Sequence, residues 1–215
     1  FAAGGVTTVN VAATEEWNAD FGHGAWASGG SLNTAKYAHA HAGTRDAALA
    51  SGGVNASDSV IALTENYNGT AWGELNDMNT ARAYMGESGT NTSALVFGGF
   101  ISTDQDLNES WNGTSWSEVA DLNTARRAMG SAGVSNTSAL AFGGKAPDKN
   151  ETESWNGSSW TELNNLNTAR SELTGNGTTT SALAFGATVK TESWNGTNWT
   201  EVNDLNSARG SLAGA

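Results

Sequence analysis

The sequence predicts an all-β protein, a five-bladed β-propeller whose blades are four-stranded antiparallel sheets, and three observations lead to this fold class. One phrase with two aromatic residues recurs five times along the 215 residues, at a spacing typical of four-stranded repeats. A second, apolar phrase that ends in two small residues separates the copies. The two chain ends together complete one unit, as expected when repeats form a ring instead of a line.

The aromatic phrase is the clearest repeat in the chain. Its three most similar copies occupy residues 108–126, 152–170 and 191–209 and read NESWNGTSWSEVADLNTAR, TESWNGSSWTELNNLNTAR and TESWNGTNWTEVNDLNSAR. Two diverged copies occupy residues 64–82 and 14–36, and the latter carries an insertion between its two Trp. The second Trp of each copy recurs every 39 to 46 residues, at Trp26, Trp72, Trp116, Trp160 and Trp199.

The apolar phrase fills the gaps between these copies. It reads AALASGG, SALVFGG, SALAFGG and SALAFGA at residues 47–53, 93–99, 138–144 and 181–187. Its fifth copy, FAAGG, stands at residues 1–5, at the opposite end of the chain from the unit that it completes. We therefore expect residues 207–215 to supply the inner strand of the blade whose second strand is 1–5. Residues 1–215 then form a single domain, closed by pairing of its N- and C-terminal strands.

Each unit predicts four short strands in a fixed order. A strand of small residues, such as 128–133, comes first, and the apolar strand, the TESW strand and the SWTEV strand follow. Asn-Gly between the last two strands indicates a hairpin with a loop of two or four residues, which places Trp111 opposite Trp116. The paired glycines indicate positions that need a positive φ or a close backbone approach. No segment predicts a helix longer than one turn.

The residue pattern of the units resembles the kelch repeat. Kelch repeats combine an Arg, a strand ending in Gly-Gly, a Glu-x-aromatic strand and a Trp followed by an acidic residue, which match Arg126, Gly143, Gly144, Trp155, Trp160 and Glu162. Lys36 and Ala187 depart from the pattern. The resemblance implies a propeller closed by its terminal strands. The consensus wording of the copies, WNGTSWTE and LNTAR, is also similar to kelch-like repeats of bacteriophage structural proteins and marine bacterial surface proteins.

Composition excludes several classes of partner and chemistry. Ten basic residues against 22 acidic residues give a formal net charge of −12, which disfavours nucleic acid and anionic membrane surfaces. The chain has no Cys, so disulfides, thiolate zinc sites and cysteine nucleophiles are excluded. No apolar stretch approaches the roughly 18 residues of a membrane span, and we expect no membrane insertion.

Two clusters deserve comparison with metal sites, and neither has the full ligand set. His39 and His41 alternate on a predicted strand, but a third ligand at a convincing spacing is missing. Asp104, Asp106 and Asn108 are spaced like the opening of a calcium loop. The sixth position of that loop is Glu109 instead of Gly, and the twelfth is Ser115 instead of Glu. The sequence therefore predicts no metal and no cofactor.

The sequence also predicts no enzymatic activity. No acid, base and nucleophile stand out from the repeating background. Recurrence in every unit indicates instead that two sets of charged residues have a structural role, in packing and polar contacts between or within blades. These sets are Glu74, Glu118, Glu162 and Glu201, and Arg82, Arg126, Arg170 and Arg209.

Differences between the copies point to the binding residues. The segment after each apolar strand varies most, and in the third unit it contains Phe100, Asp104 and Asp106. Loops on a rigid scaffold commonly carry recognition. The position two residues after each Arg or Lys varies too, and in kelch propellers it lines a mouth of the channel, so the resemblance adds Tyr84 and Glu172 as candidate contacts.

We expect a non-catalytic binding or structural module on a virion surface, such as a phage tail, fibre or capsid, or otherwise outside the cell. Its partners are then other virion proteins or a host-surface protein or glycan, with oligomerisation through the parent assembly. The alternative is a multivalent lectin in which repeated Trp, such as Trp26, stack on sugars. Burial of the same Trp in blade cores is the competing interpretation.

Overall fold

A computed structural model describes residues 2–3, 12–18, 25–145 and 147–210 of the chain. These residues form antiparallel strands and no helix, which confirms the all-β class. The described part accordingly contains no helix long and apolar enough to cross a membrane.

The strands form five small antiparallel sheets and one additional pair. The first sheet contains, in spatial order, β1 (Ala2–Ala3), β2 (Thr14–Asn18) and β3 (Ala25–Ser28). A pair of short strands follows, β4 (Lys36–Tyr37) with β7 (Val54–Asn55). The second sheet contains β5 (Ala40–Thr44), β6 (Ala47–Ser51), β8 (Thr64–Tyr67) and β9 (Trp72–Glu74).

The remaining three sheets repeat the same order along the chain. The third contains β10 (Gly86–Thr90), β11 (Ser93–Phe97), β12 (Asn108–Trp111) and β13 (Trp116–Val119). The fourth contains β14 (Gly130–Ser135), β15 (Ser138–Phe142), β16 (Thr152–Trp155) and β17 (Trp160–Leu163). The fifth contains β18 (Leu173–Thr178), β19 (Ser181–Gly186), β20 (Thr191–Trp194) and β21 (Trp199–Glu201).

The sheets are the blades of a β-propeller. Their first strands lie side by side, β5 next to β10, β10 next to β14 and β14 next to β18. The order of strands within each blade is the one predicted, although the first strand of the fourth sheet begins at Gly130, two residues later than expected.

The described residues contain fewer complete blades than the five predicted. The described residues contain four four-stranded blades, and the first sheet has three strands. Its strand β1 pairs with β2, with Ala3 opposite Thr14, so residues 2–3 occupy the predicted second-strand position. The missing strand was expected within residues 207–215, of which 211–215 lie outside the described residues. The described part therefore does not show closure of the ring by strand pairing.

The Asn-Gly hairpins have four-residue loops. In the third sheet Trp111 pairs with Trp116, and the centres of their rings are 5.3 Å apart. The Oδ1 atom of Asn112 accepts hydrogen bonds from the backbone N–H groups of Thr114 and Ser115, both at 2.9 Å. This side-chain turn holds the longer loop, which selects the four-residue alternative.

The core lies between neighbouring blades. The Phe97 ring of the third sheet packs against Trp160 of the fourth at a centroid distance of 4.9 Å, and Phe142 of the fourth packs against Trp199 of the fifth at 4.8 Å. All seven Trp side chains that the structure describes are buried: Trp72, Trp111, Trp116, Trp155, Trp160, Trp194 and Trp199. The expectation that the repeated Trp fill blade cores is confirmed for these seven.

The paired glycines lie where neighbouring blades approach each other. Gly98 has φ +63°, and a Cβ atom on it would lie 2.6 Å from the carbonyl oxygen of Arg126 in the next repeat. The N–H of Gly99 donates to that same oxygen at 2.9 Å. Both reasons that the sequence suggests for the Gly pair, a positive φ and a close backbone approach, are therefore confirmed.

Candidate functional site

The variable segments of the chain meet at one end of the blades. In an antiparallel sheet, the connection that enters the first strand and the connection between the second and third strands lie at the same end. The backbone joins the two connections directly, since Ala83 and Phe100 exchange hydrogen bonds of 3.0 and 2.8 Å. Arg127 and Lys145 are paired in the same way in the next unit.

One residue in each entering connection has a left-handed backbone. Ala38, Tyr84, Ala128 and Glu172 have φ between +50° and +59°, a region that non-glycine residues seldom adopt. They are also joined in series: the N–H of Tyr84 donates to Ala38 at 2.9 Å, that of Ala128 to Tyr84 at 2.9 Å, and that of Glu172 to Ala128 at 2.8 Å. The backbone is therefore constant at this position while the side chain varies.

A buried cation anchors each of these connections. The Nη2 atom of Arg126 donates to Oε1 of Glu153 at 2.8 Å, and Nη1 donates to the carbonyl oxygen of Glu151 at 2.9 Å. The other oxygen of Glu153 accepts the backbone N–H of Asn123 at 2.8 Å. Both charged side chains are almost fully buried. The pair thus fixes the connection onto the third strand of its own sheet.

The same pair recurs in the other four-stranded sheets, at Arg82–Glu109, Arg170–Glu192 and Lys36–Glu65, with shortest N–O distances of 2.9, 3.2 and 3.5 Å. Burial lowers the pKa of all four cations, and the paired glutamates oppose that change. The structural role expected for Arg82, Arg126 and Arg170 is confirmed.

The expected structural glutamates are corrected by this geometry. All four are exposed on the last strands of the blades: Glu74, Glu118, Glu162 and Glu201. Glu201 does make a polar contact within its own blade, an ion pair with Lys190. The buried partners are instead the glutamates of the TESW-type strands, which stand two residues before the aromatic residue. The sequence could have identified these partners, because that Glu is present in every unit. Arg209, the last of the recurring arginines, is exposed among the described residues.

Three junctions between blades carry three different side-chain contacts above this common framework. Tyr37 and Tyr84 meet edge to face, with ring centres 6.5 Å apart. The guanidinium of Arg127 lies 4.2 Å above the centre of the Phe100 ring and donates to Asp104 at 2.8 Å. Lys145 contacts Glu172 at 3.3 Å. We call the surface formed by these seven residues the connection face.

The connection face includes four of the predicted binding residues, Tyr84, Glu172, Phe100 and Asp104. Tyr84 is the most exposed of the aromatic residues here, at 39 %, and burial raises its pKa, as does its hydrogen bond with Tyr37. Asp106 has a backbone role, since its carbonyl oxygen accepts the N–H of Leu122 at 2.9 Å.

The sixth predicted residue, Trp26, is opposite Trp17 in the backbone register of the first sheet. Its side chain lies outside the described residues. Sequence reasoning missed Tyr37 and Arg127. It did not single out Lys145, although this residue opens the variable segment after the apolar strand at 138–144. The doubled Arg of the third repeat, Arg126 and Arg127, was a visible difference between copies that could have identified the second of them.

The two clusters compared with metal sites do not assemble in the described residues, where no group of three His, Asp or Glu could hold a metal. Asp104 is paired with Arg127, and the amide of Asn108 donates to the carbonyl oxygen of Ala120 at 3.1 Å. Burial, with the nearby charges of Lys36 and His41, lowers the pKa of His39 to about 3. Its buried Nδ1 has no hydrogen-bond partner among the described residues.

The first strands of the blades line a cavity of about 300 Å³ along the middle of the described structure. Glycines contribute much of its wall, including Gly43, Gly89, Gly133 and Gly177. A second, smaller cavity opens beside Ala38, Tyr84 and Ala128, next to the connection face.

A scan against known protein families finds no family that matches this chain. A search of curated proteins likewise finds no match.

Proposed function

We propose that this protein is a non-catalytic binding module that recognises a macromolecular partner with its connection face. The observation that carries the proposal is the series of left-handed positions, Ala38, Tyr84, Ala128 and Glu172, whose backbones are hydrogen-bonded to one another. A uniform backbone with changing side chains is what a recognition surface on a rigid scaffold requires.

The chemistry of the connection face suits a protein surface. It combines two tyrosines, a partly exposed phenylalanine under an arginine, and ion pairs at its edge. Tyr and Arg are enriched among residues that dominate binding energy at protein interfaces. Because the wording of the repeats resembles kelch-like repeats of phage structural proteins, we propose a virion surface as the setting, with another virion protein or a host-surface molecule as the partner.

The carbohydrate-binding alternative has less support. It requires Trp rings that a sugar can reach, and the seven described Trp side chains are buried. We therefore favour recognition through the connection face over repeated Trp sites.

The test is affinity measurement with matched variants. The labelled protein is titrated onto intact candidate host cells and onto proteins of its own assembly. For the partner found, Tyr84→Ala with Arg127→Ala is expected to weaken binding at least tenfold, since such residues typically contribute most of an interface's energy. Glu118→Ala, an exposed change on the last strand of a blade, serves as the control. Equal affinity of the double variant and the wild type contradicts the proposal.

We further propose that the propeller has five blades of the kelch type and that residues 207–215 complete the first sheet. The chain leaves the fifth sheet as it leaves the others: the N–H of Ala187 donates to Arg209 at 2.6 Å, as that of Gly144 donates to Arg170 at 3.0 Å. Arg209 therefore holds the position that precedes the first strand in the other repeats.

A buried hydroxyl also supports closure. The second Trp of a blade donates its indole N–H to a Thr of the preceding blade, as Trp72 does to Thr14 at 3.0 Å and Trp116 to Thr64 at 3.1 Å. Thr191 holds this position in the fifth sheet, and its buried hydroxyl has no partner among the described residues. In a closed ring, Trp26 is the donor that the pattern assigns to it.

A further inference from the structure

The smaller cavity beside the connection face is a second candidate binding site, and its lining differs chemically from that face. It has a volume of about 140 Å³ and lies between the first strands of the second to fifth sheets. Pockets that hold a whole small molecule typically measure roughly 300–1,000 Å³. This cavity is therefore sized for one side chain or one headgroup.

The cavity has an apolar part and a polar part. Met85, Met129 and Leu173 form the apolar part, and all three are buried. They occupy equivalent positions, three residues after Arg82, Arg126 and Arg170. Glu87 and Ser131 belong to the polar part. A linear alkyl group that ends in a polar group is complementary to this lining.

Glu87 is the single carboxylate among the described residues that line this cavity, and none of these is Lys or Arg. Its closest basic group is Nδ1 of His41 on the neighbouring strand β5, at 3.8 Å, which is beyond hydrogen-bond distance. Burial raises the pKa of Glu87, and His41 opposes this only in part. The Glu87 side chain is partly buried, with 22 % of it exposed, and His39 and His41 share the cavity lining with it. An incoming ammonium can donate the charge-assisted hydrogen bond to this carboxylate that His41, at 3.8 Å, does not make.

The cations of the connection face are already engaged elsewhere. Arg127 is paired with Asp104, and Lys145 with Glu172. The protein as a whole carries a net charge of −12, which attracts positively charged groups over long distances. Local and overall electrostatics therefore favour the same sign of ligand.

We propose that this cavity binds one primary alkylammonium group, such as a lysine side chain presented by the partner. The ammonium contacts Glu87 and the hydroxyl of Ser131, and the methylene chain packs against Met85, Met129 and Leu173. This inference rests on the proposed function because it names one group that the partner brings to the connection face.

The test titrates Nα-acetyl-lysine methylamide into the full chain and follows the methyl resonances of Met85 and Met129 by NMR. We expect saturable shifts of both methyls. Glu87→Gln is expected to weaken binding about tenfold, because an amide cannot replace a charged acceptor. Glu118→Gln is the matched control. Nα-acetyl-norleucine methylamide, an uncharged analogue, is expected to produce no saturable shift.

Three results would overturn the inference: no saturable methyl shift with the lysine derivative, equal affinity in Glu87→Gln, or equal binding of the norleucine derivative. Since a neutral amide suits a buried site, Glu87→Gln is expected to fold. If it does not, Ser131→Ala, expected to weaken binding two- to threefold, replaces it. If the wild type binds its partner but not the lysine derivative, only this inference is overturned. If the wild type binds the lysine derivative but Tyr84→Ala with Arg127→Ala leaves partner affinity unchanged, only the proposed function is overturned.

Discussion

Single positions show how much change the repeat tolerates. Lys36 replaces the recurring Arg, and its ammonium still donates to the carbonyl oxygens of Ala50 and Leu63, both at 3.1 Å, beside Glu65. His39 replaces the Met or Leu of the other blades and places a polar nitrogen in a buried site without a partner among the described residues. The first substitution preserves the contacts of its position, and the second does not.

Arg126→Ala is expected to reduce the free energy of unfolding by about 3 to 5 kcal/mol, because it leaves the buried carboxylate of Glu153 without its cation. Arg126→Lys should cost less, since Lys36 shows that an ammonium reaches the same kind of acceptors. Urea denaturation measures both values. Arg127→Ala, at a partly exposed neighbour, should cost about 1 kcal/mol or less. A loss as small in Arg126→Ala as in this control contradicts the anchoring role.

His39 makes stability depend on pH. Its pKa is about 3 in the folded protein and about 6.5 in an ordinary environment, so only the unfolded chain binds a proton between these values. Stability therefore falls as the pH falls through this window, by up to about 1.4 kcal/mol per pH unit. His39→Met removes this dependence, so its stabilisation should be about 2 kcal/mol larger at pH 5 than at pH 7.

Urea denaturation at the two pH values checks this expectation. Met129→Leu, at the equivalent position of the fourth sheet, introduces no titrating group and should change stability equally at both. A stabilisation by His39→Met that is the same at pH 5 and pH 7 would show that the imidazole does not disfavour the folded state in acid.

At the scale of strands and sheets, the junction between blades depends on one repeated hydrogen bond. Trp72, Trp116 and Trp199 each donate an indole N–H to a Thr at the start of a TESW-type strand. The third sheet has Asn108 at this position, and both its Oδ1 and the indole nitrogen of Trp160 are buried without partners among the described residues. This junction lacks a contact that the others have.

Asn108→Thr is expected to restore that contact and to raise the free energy of unfolding by at most about 1 kcal/mol, the usual net value of a buried hydrogen bond, because the bond from the Asn108 amide to Ala120 is lost in exchange. The reciprocal change, Thr64→Asn, should lower it by a similar amount. Equilibrium unfolding followed by Trp fluorescence measures both. Destabilisation by Asn108→Thr together with a neutral Thr64→Asn would mean that the indole bond contributes nothing to the junction.

The repeat predicted the elements well because strand order, hairpins and paired glycines follow from local residue chemistry. It could not select the four-residue loop, since that choice depends on the bonds that Asn112 makes with Thr114 and Ser115. It identified Tyr84 and Glu172 by their variability. The left-handed backbone they share was hidden, because Ala, Tyr and Glu carry no preference for it. The glutamate partners of the buried arginines were not predicted, because their identity depends on which face of each strand is buried.

At the scale of the whole molecule, closure of the ring determines whether five similar junctions exist or four. The first sheet has a register that accepts a further strand beside β1. Thr191 in the fifth sheet has a buried hydroxyl that has no indole partner among the described residues, unlike Thr14, Thr64 and Thr152. Both features are explained together if the first and fifth sheets are neighbours.

A double-mutant cycle tests this arrangement. Trp26→Phe and Thr191→Val are expected to be coupled by about 1 kcal/mol, because each removes one half of the same hydrogen bond. The cycle of Trp116→Phe with Thr64→Val, whose atoms are 3.1 Å apart, is the control. Additive effects at Trp26 and Thr191, within about 0.3 kcal/mol, with coupling in the control contradict a closed ring.

The backbone bond between each paired-glycine corner and the carbonyl of the following Arg has a genetic consequence. The second glycine of each pair donates its N–H to a main-chain oxygen of the next repeat, a bond that does not depend on side-chain identity. These bonds join Gly53 to Arg82, Gly99 to Arg126 and Gly144 to Arg170. An in-frame exchange of one repeat for another therefore preserves the joint between them. A whole repeat can therefore be exchanged, together with the connection-face residues that it carries, without loss of these main-chain bonds.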